Sequence, residues 1–231
     1  MKIDIAVIGA MEPEVLGLVG KMKDRVVERV SGIEVNLGKI GDRTVAVARC
    51  GIGKVFAALC AQTLILKYSP SLVINSGVGG GLAPDLKTGD IIVATDLCQH
   101  DMDTSAIGDH KGLVSGINRV YFEADKRAVE ILLSEAEALG LKARGGRVAT
   151  GDKFIASKAN KENILECFSA DACEMEGCAI AQVAFVNNTP FAVVRAISDS
   201  ADGEATMDYP TFLPIAAQNS QNLTIALIKS W

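Results

Sequence analysis

The chain alternates short apolar runs with longer segments in which apolar residues recur every three or four positions. "IDIAVIG" (3–9), apolar but for Asp4, predicts a strand. Residues 13–23 carry Val15, Leu16, Leu18, Val19 and Met22 at helical spacing and predict a helix. Three β runs follow at 26–30, 33–38 and 43–50, with Gly32 and Gly41-Asp42 as turn signals. "GIGKVFAALCAQTLILKY" opens on Gly51 and Gly53 and predicts a buried helix. "SLVINS" (71–76) has the continuous apolar character of an interior parallel strand, and 90–103 reads as a long extended stretch. Residues 123–139 put Ala128, Ile131, Leu132, Ala136 and Leu139 on one helix face, and Gly140 stops them. "RGGRVATGDKFI" predicts a further strand, with helices at about 158–168 and 174–187. "PFAVVRAIS" (190–198) is a second buried strand, and the last helix is expected to begin near Pro210, which suits a first helical turn.

Strands alternating with helices predict an α/β fold with a mostly parallel sheet covered on both faces. No repeat, low-complexity tract or linker divides the 231 residues, so a single domain over 1–231 is expected. With 49% hydrophobic residues the chain can bury one large core. The net charge is −5 and no basic stripe exists, which argues against nucleic acid and anionic membrane surfaces as partners. No apolar run approaches membrane-spanning length. The six cysteines form no C-x-x-C pair and read as reduced, buried thiols, so a cytoplasmic location is expected.

Parallel sheets bind ligands at the carboxyl ends of their strands, and four constellations lie there. Glu12 follows strand 3–9; because it precedes Pro13, its backbone is biased towards extended geometry. Helix capping is the plain alternative for Glu12 and suits Glu14 well. The glycine loop "SGVGGG" (76–81) lets backbone approach a ligand closely, although by itself it is also an ordinary turn. Glu174 and Glu176 in "CEMEGCAI" could grip two vicinal hydroxyls; a first-turn acid on a helix dipole is the alternative. Asp199 ends an apolar strand, where an acid is poised to donate a proton, or simply to cap a turn with Ser198 or Ser200. His100 with Asp101 and Asp103 falls short of a metal-ligand set, since the chain has only two histidines.

"IGAMEPE", "GIGKV", "INSGVGGGL", "GDKFI", "EMEGCAIAQVA" and "VVRAISDSAD" occur in order from the first strand to the last helix. Together they resemble the 5′-methylthioadenosine/S-adenosylhomocysteine nucleosidases of the nucleoside phosphorylase superfamily. The resemblance implies a three-layer α/β/α fold with a central mixed, mostly parallel sheet, and a homodimer. It also implies hydrolysis of the N-glycosidic bond of a 5′-substituted adenosine without metal or cofactor. In that pattern Glu12 activates the attacking water, and Asp199, steadied by Ser198, protonates the purine N7. Glu176 binds ribose hydroxyls and Met175 packs below the sugar, with Arg195 and Glu174 supporting that side. Phe154 stacks on adenine and the backbone of Ile155 reads its edge. Ile52, Val78 and Gly80 line the substrate site, and Tyr209 stands near the 5′ group.

Three segments depart from the pattern. Val78 stands where the family often has serine, Ile107 where a relative offers an aromatic residue to its neighbour, and Asp202, Glu204 and Tyr209 fall in an expected lid. These leave the 5′ substituent open among methylthioadenosine, S-adenosylhomocysteine, 5′-deoxyadenosine and aminodeoxyfutalosine. Two other readings compete. A purine nucleoside phosphorylase would use Arg49 or Arg195 for phosphate, which a carboxylate at position 12 opposes. A non-catalytic nucleoside-binding protein would keep the pocket without the proton chemistry.

Overall fold

The computed structural model describes residues 2–202 and 205–231. In chain order the elements are β1 (Ile5–Gly9), α1 (Glu12–Gly20), β2 (Lys23–Val30), β3 (Ile33–Ile40), β4 (Arg43–Arg49), α2 (Lys54–Tyr68), β5 (Leu72–Gly81) and β6 (Ile91–Gln99). They continue with β7 (Phe122–Glu123), α3 (Lys126–Ala138), β8 (Ala143–Thr150), α4 (Lys158–Phe168), β9 (Ala172–Glu174), α5 (Gly177–Val186), β10 (Phe191–Asp199) and α6 (Ala205–Ser230).

The strands build one mixed sheet. β2, β3 and β4 form an antiparallel meander, and β4 then pairs in parallel with β1. β5 is the hub, parallel to β1 and β10 and antiparallel to β9. The pairings β10–β6, β6–β8 and β8–β9 close a ring with β5, so the strand ends that carry chemistry meet at one mouth. Helices α1, α3 and α6 bury Val15, Leu18, Leu132, Leu223 and Leu227 on one face of the sheet. Helices α2 and α5 bury Ala57, Leu64, Cys178 and Ile180 on the other.

Five expectations need correction. The glycine stretch 76–81 is not a loop; it continues β5, buried along its whole length. Its glycines make room for side chains: a Cβ on Gly77 would lie 2.5 Å from Glu14 Oε1, and one on Gly80 3.0 Å from Asp199 Oδ1. The segment 174–187 begins as strand, since Glu174 ends β9 and the helix opens at Gly177. Residues 122–123 likewise form β7, with α3 starting at Lys126 behind an Asp125 N-cap that accepts from Ala128 N. The last helix starts at Ala205, so Pro210 and Pro214 lie inside it. Helix α2 is not buried all round: Val55, Phe56, Leu59 and Leu66 face outward. Of the expected lid, Glu204 lies outside the described residues.

The long helix α6 also fixes α1. The buried Gln221 side chain donates from Nε2 to Pro13 O (2.8 Å) and accepts at Oε1 from Gly17 N (2.6 Å). A Cβ at position 17 would collide with that oxygen, which is why glycine stands there. Gln221→Leu removes both bonds and leaves polar backbone facing an apolar side chain. The expected loss is about 1–3 kcal/mol of unfolding free energy in urea titration. An unchanged midpoint would mean that the clamp contributes nothing.

Candidate active site

A cavity of about 270 Å³ opens at the strand ends. Two turns that leave strands for helices form one wall. After β1 the chain turns at Ala10-Met11 into α1, and Glu14, three residues past the N-cap Met11, reaches back into that turn. Glu14 Oε2 accepts from Ala10 N (2.8 Å) and Met11 N (2.9 Å), and Oε1 from Val78 N on β5 (3.0 Å). A helix N-terminus leaves such N–H groups unpaired and carries partial positive charge. After β4, Gly53 at the head of α2 donates to Glu176 Oε1 (2.8 Å). At the head of α5, Glu176 N (2.9 Å) and Gly177 N (2.6 Å) both donate to Glu174 Oε2. Three helix N-termini thus converge on the cavity, and a carboxylate of the chain fills each.

Behind them lies the fully buried Arg195, whose guanidinium pairs with Glu174 and donates to Asn75 Oδ1. Its Nη2 is also 4.0 Å from Glu176 Oε2. Thr150 Oγ1 donates to Glu174 as well. Glu174 is therefore both cavity wall and counter-ion. Removing one member of a buried pair of this kind typically costs about 3–5 kcal/mol.

On the opposite wall, Asp199 ends β10. Ser198 Oγ donates to its Oδ2 (2.9 Å), and Ala201 N donates to its Oδ1 (2.9 Å). Lys161 secures the surrounding backbone by donating to Gly81 O (3.0 Å) and Ser200 O (2.7 Å). Phe154 and Tyr209 meet edge-on with ring centroids 5.5 Å apart, and the Tyr209 hydroxyl donates to Met11 Sδ (3.2 Å).

The structure brings Ile52, Val78, Gly80, Phe154, Ile155, Glu174, Met175, Glu176, Ser198, Asp199 and Tyr209 to this cavity. Two expected residues are elsewhere. Glu12 occupies the first position of α1, points outward with 68% of its side chain exposed, and sits 3.7 Å from Arg49. Arg195 supports Glu174 from behind and does not line the cavity. Glu14 takes the place expected of Glu12. The signal for it was the capping pattern, in which the third helical residue folds its carboxylate back over the N-terminus. Gly79, Lys153, Cys173, Ala10 and Met11 also line the wall. Asp101 is tied to Lys54 Nζ (2.7 Å) and Asp152 N (2.9 Å). Among the described residues no three His, Cys, Asp or Glu converge as a metal set.

Burial shapes the proton chemistry. It pushes Glu14 up, although Arg195 and three N–H donors favour its charged form. Asp199 is likewise raised by burial, against the bonds from Ala201 and Ser198. Glu176, buried and facing Glu174, rises to about 8. Arg195 keeps its charge because Glu174, Glu176 and Glu14 outweigh the burial penalty.

The folded protein therefore holds a proton on Glu176 that the unfolded chain releases above 4.5. That stabilisation is complete below the unfolded value and is lost as pH rises through about 8. The melting temperature of the free protein is expected to fall across this window, and Glu176→Gln to flatten the slope. An equally steep slope in the variant would assign the proton to another group.

The chain matches the model of the Phosphorylase superfamily over residues 4–229. A 5′-methylthioadenosine/S-adenosylhomocysteine nucleosidase from Haemophilus influenzae (strain PittGG) is 40% identical over 229 residues, spanning 97% of this chain and 98% of the relative. The crystal structure of the nucleosidase of that name from Neisseria meningitidis, in complex with methylthio-immucillin-A, has a TM-score of 0.96 at 34% identity over 99% of each chain. Futalosine hydrolase of Helicobacter pylori strain 26695 follows at 0.94 and 33% identity, over 99% of this chain and 98% of that one. With likeness along nearly its whole length in both sequence and fold, the chain belongs to the phosphorylase superfamily, in its 5′-methylthioadenosine/S-adenosylhomocysteine nucleosidase branch.

Proposed function

We propose that the protein hydrolyses the N-glycosidic bond of 5′-substituted adenosines, methylthioadenosine and S-adenosylhomocysteine, to adenine and the free ribose derivative. Glu14 orders and deprotonates the attacking water. Asp199 delivers a proton to the purine N7. The observation that carries this reading is Glu14 itself. The turn after β1 offers N–H groups where an oxyanion would otherwise bind, and the Glu14 carboxyl takes them. The position is filled whether or not that carboxyl carries its proton. When it is ionised, a second charge about 4 Å away meets a repulsion of about 4 kcal/mol at an effective dielectric of about 20. Water pays no such penalty.

The chemistry fits the raised carboxyls. As the bond breaks, adenine gains negative charge and the anomeric carbon positive charge. A protonated Asp199 relieves the first, and neighbouring carboxylates stabilise the second. Glu176 is placed for the ribose hydroxyls and Met175 for the sugar's underside. Phe154 and Ile155 face adenine; Met11, Ile52 and Tyr209 enclose the 5′ end. Neither arginine of the phosphorylase reading is placed for phosphate, because Arg195 is buried against Glu174 and Arg49 lies outside the cavity.

The homodimer belongs to the same proposal. Val55, Phe56 and Leu59 of α2 form an apolar face, with Val186 of the adjacent α5 also exposed, and such a surface favours a partner. Ile107 is 82% exposed and is available to a neighbouring subunit. A cytoplasmic location agrees with six unpaired cysteines, and a role in methionine salvage follows from the substrates.

Product analysis tests the reading. Methylthioadenosine is expected to yield adenine and free methylthioribose at a rate independent of phosphate; a ribose 1-phosphate product would contradict hydrolysis. Asp199→Asn and Glu14→Gln are each expected to lose about 10²–10⁴-fold in kcat. Glu12→Gln is expected to lose at least tenfold less than Glu14→Gln. The reverse order would return the water to Glu12.

A further inference from the structure

A second depression, about 660 Å³, adjoins the cavity and shares Ala10, Met11 and Ile52 with it. The shared residues form an apolar neck. Beyond the neck the walls change character, with Glu12, Arg29, Glu34 and Arg49 along the groove. Both charged pairs there are loose: Arg49 to Glu12 is 3.7 Å and Arg29 to Glu34 is 4.0 Å. All four side chains are more than half exposed. Pairs of this kind contribute about 0–1 kcal/mol, so either member can exchange its partner for a ligand group at little cost.

We infer that this groove is the subsite for the charged end of substrates whose 5′ substituent is an α-amino acid. Arg49 receives the α-carboxylate and Glu12 the α-ammonium. The inference rests on the hydrolase reading and specifies how its two substrates differ. Chain position supports the assignment. Glu12 directly follows Met11, and Arg49 closes β4 three residues before Ile52, so the neck and the charges are fixed to the same two turns. A zwitterion carries opposite charges on one carbon, and the Arg49–Glu12 pair offers opposite charges 3.7 Å apart in the reverse sense. The guanidinium fork matches a carboxylate in two parallel hydrogen bonds. A methylthio group has no charge and ends at the neck. A homocysteine tail passes through it. Position 12, expected to handle water, handles the far end of the substrate instead.

The test compares the two substrates within each variant. In Arg49→Met, which keeps the aliphatic stem, the KM for S-adenosylhomocysteine relative to that for methylthioadenosine is expected to rise about fivefold, the size of one exposed pair. The effect should appear in KM rather than kcat. Glu12→Gln should move the ratio in the same direction, and Arg49→Lys should restore part of it. High salt should shrink the wild-type preference. A ratio that stays constant, or KM values that rise equally for both substrates, would overturn the subsite. The same comparison made as Kd in the Asp199→Asn background reads the groove without turnover. Failure of wild-type protein to release adenine would thus count against the hydrolase reading alone, and the Kd ratio would still decide the subsite.

Discussion

Three helices direct their N-termini at one cavity, and the chain itself supplies an acid to each. Glu14 closes the head of α1, Glu176 that of α2 and Glu174 that of α5. Each N-terminus is equivalent to roughly half a positive charge, with N–H groups that need partners. The carboxylates meet that need, and the helices in turn make buried acids tolerable. A single cation, Arg195, sits beneath two of them. The site is acidic but not uncompensated, and burial raises the proton affinity of Glu14, Glu176 and Asp199.

The sheet makes this convergence possible. β5 runs through the hub of the ring with glycines at 77 and 80, because side chains there would occupy the space of Glu14 and Asp199. β9 and β10 carry Glu174 and Asp199 to the same mouth. Gln221 couples α6 to the α1 turn, and Tyr209 near the start of α6 touches Met11. The residues around the 5′ end are thereby tied to the element that holds Glu14. In the proposed mechanism, specificity for the substituent and positioning of the water therefore share one scaffold.

Much of this was legible in the sequence, for physical reasons that differ from residue to residue. The alternation of apolar strands and amphipathic helices gave the layered architecture, and the rule that ligands sit at strand ends picked out Asp199, Glu174 and Glu176. Glu12 misled because the resemblance assigns the water to the acid directly after Ala10-Met11, whereas geometry favours the third residue of α1, whose side chain can fold back. The glycines at 76–81 looked like a turn because their role is to leave space for acids distant in sequence, which local composition does not reveal. That Arg195 supports Glu174 from behind, and not the sugar side, is not legible, because nothing in the chain indicates which side of Glu174 it occupies. The exposed apolar face of α2 is not legible, since hydrophobicity alone does not distinguish a face turned to the core from one turned outward.

The central claim is that Glu14 occupies an anion site that the fold would otherwise present. Titration of inorganic phosphate into folded Glu14→Ala protein tests it most directly. The freed N–H groups of Ala10, Met11 and Val78 should give the variant a phosphate affinity that the parent lacks, and a nucleoside analogue should sense the bound ion. A variant that is folded, binds the analogue and takes up phosphate no better than the parent would contradict the account.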